Sequence, residues 1–314
     1  MLNYLGNIFV SVVFCITLVF LSGKVSMCIA QNGPFTQYLN NEFILNPAYA
    51  GADDALSLTA IYRSQWSNIE GMPVTQTLSG HSLIKNNNSG VGATITHDQI
   101  GIHRNITAVG AYSYRINLSN DRYLALGFQA GIKNIQSNYT QLSQYAQNPL
   151  DPKIANADFN YTRFDLGLGL LYTSEKFKLG ISLPSYNTSK DKESDSLTYN
   201  FDESKYFLLT SYKIEMSSSL NIYPGILINY TAGLPITYDV NIQGELREVL
   251  TIGFSYRHQT SLNFLLQAVI LPQLRIGYAY DYPSGKNALF DKESNELMLN
   301  YIFKHKKSKV INPR

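Results

Sequence analysis

Five histidines, His81, His97, His103, His258 and His305, are the side chains best suited to hold a metal or move a proton near neutral pH. None falls in an H-E-x-x-H or comparable ligand spacing. His97 and His103 bracket Asp98 near a turn, a grouping a metal could use, but a solvated turn explains it more simply. The one close serine–histidine pair lies in Ser79-Gly80-His81-Ser82. In an extended strand Ser79 and His81 share a face, yet no neighbouring acid is evidently placed to orient the imidazole. No G-x-S-x-G or Walker element occurs, and Gly167-x-Gly169 sits in a strand-like run where small side chains suit a crowded interior. The acidic and basic residues at 189–195 read as a hydrated loop face. We therefore expect no catalytic residue, no cofactor and no metal, and hence no enzyme.

The composition points away from other classes as well. The 314 residues carry 25 Lys+Arg against 23 Asp+Glu, a formal charge of +2 that is too balanced for binding nucleic acid through phosphate neutralisation. Charged residues make up 15%, below the roughly 25% of soluble domains, whereas Tyr (23) and Phe (15) are abundant and Trp is single. A mean hydropathy of -0.12 excludes a polytopic helical membrane protein.

The one long apolar run is N-terminal. Ile8 to Leu21, followed by Ser22, Gly23 and a small-residue exit, reads as a signal peptide over residues 1–30, cut between Ala30 and Gln31. The start lacks Lys and Arg, so an uncleaved anchor is the alternative. Acylation at Cys28 would need a small residue where Met27 stands. Cys15 and Cys28 both fall in this segment, leaving the mature chain without a disulfide, a thiolate metal site or a cysteine nucleophile.

Beyond Ala30 the recurring period is two, the period of strands. Leu124, Leu126, Phe128, Ala130 and Ile132 share one face, with Tyr123, Ala125, Gly127, Gln129 and Gly131 opposite. The pattern repeats at Leu166–Leu170, Leu250–Tyr256, Leu274–Tyr280 and Leu297–Phe303. The oily faces often end in Tyr or Phe, as where a strand leaves hydrocarbon. The other faces hold Gly, Ser, Thr and Gln rather than the Lys and Glu of a soluble sandwich. The spans 55–65, 73–84, 90–98, 105–117, 121–135, 160–173, 176–184, 205–216, 218–231, 234–244, 247–258, 260–271, 272–281 and 294–303 give an all-β fold: a single transmembrane antiparallel β-barrel of about 14 strands. Polar inserts at 137–160 and 186–205 read as loops outside the membrane, because the alternation resumes after each. Residues 31–303 then form one barrel with an N-terminal periplasmic segment, and 304–314 form a basic tail.

Four blocks carry a resemblance: Phe35-Thr36-Gln37-Tyr38; Leu45-Asn46-Pro47-Ala48-Tyr49-Ala50-Gly51; Tyr62-Arg63-Ser64-Gln65-Trp66; and Pro73-Val74-Thr75-Gln76-Thr77-Leu78. With Gly90-Val91-Gly92, Asp98–Gly101, Leu274–Asp281 and Asn295-Glu296-Leu297, the chain from Phe35 to Phe303 resembles the PorP/SprF family of Bacteroidota outer-membrane proteins. The resemblance implies a non-enzymatic barrel of the type IX secretion system, supporting export or attachment of surface adhesins in gliding bacteria. Its implied partners are outer-membrane lipid, periplasmic ring and peptidoglycan-linked components, and cargo with a type B C-terminal sorting domain. Bottom-up, Asn46, Pro47, Ala48, Tyr49 and Gly51 suit a structural turn or plug near the periplasmic entrance, or a partner contact. Arg63 and Gln65 lie on the less oily face, where Arg63 calls for an acidic partner if that face is the lumen, and Trp66 falls on the face assigned to lipid. The basic tail departs from the usual C-terminal aromatic ending. A passive porin or small-solute transporter is the alternative function, since fourteen strands can enclose a lumen.

Overall fold

The computed structural model describes residues 35–66, 71–84, 88–119, 121–141, 158–187, 204–231, 234–284 and 292–303. The expected signal peptide, the basic tail and most of the two polar inserts lie outside the described residues.

The alternating runs form strands β1 (Leu56–Ser64), β2 (Val74–Leu83), β3 (Ser89–Ile100), β4 (His103–Ser119), β5 (Arg122–Ser137), β6 (Phe159–Thr173), β7 (Phe177–Asn187), β8 (Lys205–Tyr212), β9 (Ile214–Ser217), β10 (Leu220–Thr231), β11 (Thr237–Leu246), β12 (Leu250–Arg257), β13 (Ser261–Leu271), β14 (Leu274–Pro283) and β15 (Ser294–Phe303). β8 and β9 are one stave interrupted at Lys213, since both pair with β10. All pairings are antiparallel, β15 pairs with β1 and β10 with β11, so the sheet closes as a 14-stranded barrel without a free edge.

The oily face of each strand points outward. On β1, Leu58 and Tyr62 are exposed while Ser57, Thr59, Ile61 and Arg63 are buried. Leu126, Phe128 and Ile132 on β5 and Leu297 and Leu299 on β15 follow the same rule. Lipid, rather than protein, is the solvent for this face.

Leu56 and Phe303 lie at one end of the barrel, together with the strand ends joined through 84–88, 120–121, 174–176, 218–219, 247–249 and 272–273. The strand ends joined through the longer stretches 138–158, 188–204 and 284–293 lie at the other. Outer-membrane barrels keep short turns in the periplasm and long loops outside, which orients this one.

The chain expected as a periplasmic segment takes a different course from Thr36 to Ala50. It runs inside the barrel as three short 3-10 turns, η1 (Thr36–Leu39), η2 (Glu42–Ile44) and η3 (Pro47–Tyr49). Tyr38, Phe43, Leu45, Ala48, Tyr49 and Ala50 are buried there against Ala111, Ala125, Leu171, Phe207, Leu209 and Leu227 of the wall. The reason is solvation: these apolar side chains have no lipid to face, and the wall's small inward residues leave the space to bury them.

Candidate functional site

The segment inside the barrel is held at both ends by charge and in the middle by shape. At its start, on the long-loop side, the Glu296 carboxylate is fully buried and accepts the backbone N–H groups of Thr36 and Gln37, each at 2.8 Å. Arg63 bonds the same carboxylate and reaches Asp281 at 3.0 Å, while the Thr36 hydroxyl donates to Asp281 at 2.6 Å. Beside them Arg257 pairs with Asp239 at 3.0 Å, and Asn241 donates to the Tyr38 hydroxyl at 3.3 Å. Three carboxylates thus surround two guanidiniums, all on the inward register of their strands.

At the far end, on the short-turn side, Arg115 bonds the Gly51 carbonyl and pairs with Asp54 at 2.9 Å, its guanidinium 5.0 Å above the Tyr123 ring. Ser113 donates to the Ala50 carbonyl at 2.6 Å, and Ser182 to that of Leu45, also at 2.6 Å. Lys178 pairs with Glu42 at 3.2 Å.

Between these anchors the turn at 46–49 is set by its own residues. The Asn46 side chain accepts from the Ala48 N–H at 2.9 Å, and Pro47 supplies a fixed φ at the first position of η3. The Asn46 amide then donates to the Leu170 carbonyl on β6 at 3.1 Å. Such proximity requires glycine in the wall: a Cβ at Gly127 would overlap Ala48, one at Gly169 would overlap Asn46, and one at Gly90 would overlap Ala50. The Gly167-x-Gly169 pair is therefore interior packing, as its strand context suggested.

Of the residues singled out in the sequence, Asn46, Pro47, Ala48 and Tyr49 lie buried in the lumen, and Gly51 ends the segment with φ +79°. Arg63 is inward and meets the acids its face required, but it joins Thr36 and Gln37 rather than residues 46–51. Gln65 and Trp66 lie beyond the end of β1 at the long-loop mouth, half-buried, where strand alternation no longer dictates direction; Trp66 has φ +55°. Asp239, Arg257, Asp281 and Glu296 were not among the expected site residues, although Asp281 and Glu296 fall in the blocks that carry the resemblance; each is a charge on the inward register of a strand, which is the signal that could have found them.

The serine–histidine pair does acquire an acid, Asp53, 3.6 Å from His81 Nε2. The geometry is nevertheless not that of an activated nucleophile. His81 Nδ1 accepts the Gly51 N–H at 3.2 Å, and Ser79 accepts from Asn41 at 2.9 Å, so the imidazole does not address the serine hydroxyl. His97 faces outward whereas Asp98 takes the Thr75 hydroxyl at 2.6 Å on the inward side. No group of three or more metal-capable side chains exists among the described residues.

Residues 28–301 match the model of the family described as type IX secretion system membrane protein PorP/SprF. No curated protein matches the chain. Among solved structures it is similar to the CymD monoaromatic hydrocarbon channel, with 13% identity, a TM-score of 0.51, and coverage of 89% of this chain and 95% of that one. The Pseudomonas putida toluene transporter TodX gives 12%, 0.49, 84% and 94%, and the Acinetobacter baumannii outer membrane protein Omp33 gives 10%, 0.48, 79% and 98%. At these identities the likeness to CymD is one of fold, that of an outer-membrane barrel.

Proposed function

This chain belongs to the PorP/SprF family of type IX secretion system membrane proteins, and from that premise we propose that it is a non-enzymatic accessory or scaffold subunit of type IX secretion. It sits in the outer membrane and supports the export or surface attachment of cargo. The observation that carries this reading is the lumen. Residues 36–50 fill it with a buried core and are tied in at both ends, which suits a body that offers contact surfaces better than one that passes solute. Its short turns then face periplasmic ring and peptidoglycan-linked components, and its longer loops face cargo bearing a type B C-terminal sorting domain.

The test is a pull-down of the tagged protein from detergent-solubilised outer membranes, joined to secretion assays of a deletion strain and planar-bilayer recordings. Recovery of ring components or sorting-domain cargo, loss of secretion on deletion, and a silent bilayer are the expected results. Recovery of the barrel alone, with steady conductance and normal secretion, would replace this reading with a passive porin.

A further inference from the structure

The outer surface carries a feature that the secretion reading does not use. Outward residues align across β14, β15, β1, β2 and β3 in lateral rows set by the strand register. One row runs Ile276, Leu299, Ala60, Leu78, Ile95; the next, toward the long-loop end, runs Tyr278, Leu297, Tyr62, Gln76, His97. Four members of the first row are large, and Ala60 at its centre is not. The missing bulk at Ala60 deepens an open groove of about 640 Å³, whose walls are the neighbouring leucines and isoleucines.

The second row changes character across its width. Tyr62 and Tyr278 stand where interfacial tyrosines belong, and Gln76 and His97 close the groove on its loop-facing side. One rung further out, Gln99 pairs in register with Arg104, which is exposed on the same outward face. The groove is thus apolar toward the membrane centre and polar at Gln76 and His97, and the exposed Arg104 stands beyond its lining, one rung nearer the outer surface on β4. That polarity matches a lipid with an anionic head lying along the barrel wall. A docked protein strand would instead need a partner surface that is polar only at one end.

We propose that this groove is a specific lipid site, seating an acyl chain over Ala60 while Gln76, His97 and Arg104 meet the phosphate-bearing head. An acyl chain laid against leucine and isoleucine gains little over bulk lipid, so the head contacts supply the selectivity and the dent supplies the fit. The inference rests on the membrane placement of the barrel and is independent of any part in secretion.

The full-length protein, purified in mild detergent, is titrated with phosphatidylglycerol and retained lipid is read by native mass spectrometry. The diacylglycerol of the same chains and inorganic phosphate serve as separate probes. One retained phosphatidylglycerol is expected, with diacylglycerol and phosphate each held at least about tenfold more weakly, a difference of one decade in affinity. Ala60→Phe, which fills the groove, should lower retention by a similar factor, and Arg104→Ala with His97→Ala should erase the preference over diacylglycerol. Ala130→Phe adds the same ring to the outer face of β5 and should change nothing; heat-modifiable migration on gels confirms that each variant is folded. Unchanged retention in Ala60→Phe overturns the site, and so does equal retention of the two lipids by the wild type. Phosphate binding as tight as that of phosphatidylglycerol overturns the acyl-chain assignment.

Discussion

The buried carboxylate of Glu296 gives the sharpest test of how the lumen segment is held. It accepts two backbone N–H groups and bonds Arg63, with no exposure to solvent. Removing one partner of a buried ion pair costs about 3–5 kcal/mol when it strands the other. Here the surroundings decide where in that range each variant falls. Three carboxylates share two guanidiniums, so Glu296→Gln leaves Arg63 with Asp281 and Arg257 with Asp239, one to one. The isosteric amide also keeps one acceptor for Thr36 or Gln37, which puts its cost at about 3 kcal/mol. Arg63→Met leaves three carboxylates to one guanidinium and belongs near 5 kcal/mol or above. At 1.36 kcal/mol per decade these are roughly two and three and a half orders of magnitude in the opening equilibrium of the segment start. Hydrogen exchange of peptides covering residues 35–41, read by mass spectrometry in detergent, should accelerate in that order. Exchange in Arg63→Met no faster than in Glu296→Gln would refute the charge-count reasoning, and wild-type exchange in both would mean that the cluster does not anchor the segment.

Three further outcomes follow from the same geometry. Gly127→Ala and Gly169→Ala each push a methyl into the segment and should cost about 1–3 kcal/mol as overpacking, lowering the thermal unfolding midpoint, whereas Gly244→Ala, with open space around it, should not. Deleting residues 36–50 should turn a silent barrel into one with steady conductance in planar bilayers; continued silence would show that another element closes the lumen. At the long-loop end the Thr140 N–H and hydroxyl donate to Asp158 at 2.8 and 2.7 Å and hold its carboxyl below the usual range. A depressed carboxyl stabilises the fold above its unfolded pKa and loses that contribution as pH falls through the folded one. The Thr140 clasp should therefore loosen only in acid, below the ordinary Asp range, seen as accelerated exchange of the Thr140 amide after correction for intrinsic rates; a clasp that loosens near neutral pH contradicts the assignment.

The barrel was legible because lipid imposes a period-two code on every stave, and the fourteen alternating runs all became strands. The runs ended early where the code itself ends. On β3 and β5 the outward face turns from Ile95 and Ile132 to His97 and Asn134, so the oily signal fades while the hydrogen-bonded ladder continues to Ile100 and Ser137. The interior was less legible. An inward arginine announces that an acid must be near, but nothing local says that the acids for Arg63 are Asp281 and Glu296, which the closure of β15 onto β1 brings to it. The 3-10 turns of residues 36–50 have no periodicity to read, so whether the lumen was filled could not follow from pattern. Asp53 reached His81 through the same fold-back of the segment.

A membrane barrel is oily outside, so its outward side chains form no core of their own and its interior must be held by something else. In this chain that something is a 15-residue stretch acting as an internal core. Phe43 and Leu45, buried where water would otherwise stand, are each worth about 1.5–3 kcal/mol, and Tyr38 and Tyr49 add comparable area. The same burial removes the family motif from view: Asn46, Pro47, Ala48 and Tyr49 cannot touch a partner while the segment is seated. A substitution such as Tyr49→Ala would therefore act through barrel stability and protein level before it acted on any contact. The surfaces left for partners are the short turns, the long loops and the lipid face, and those are where variants that leave the barrel folded but change its associations should be sought.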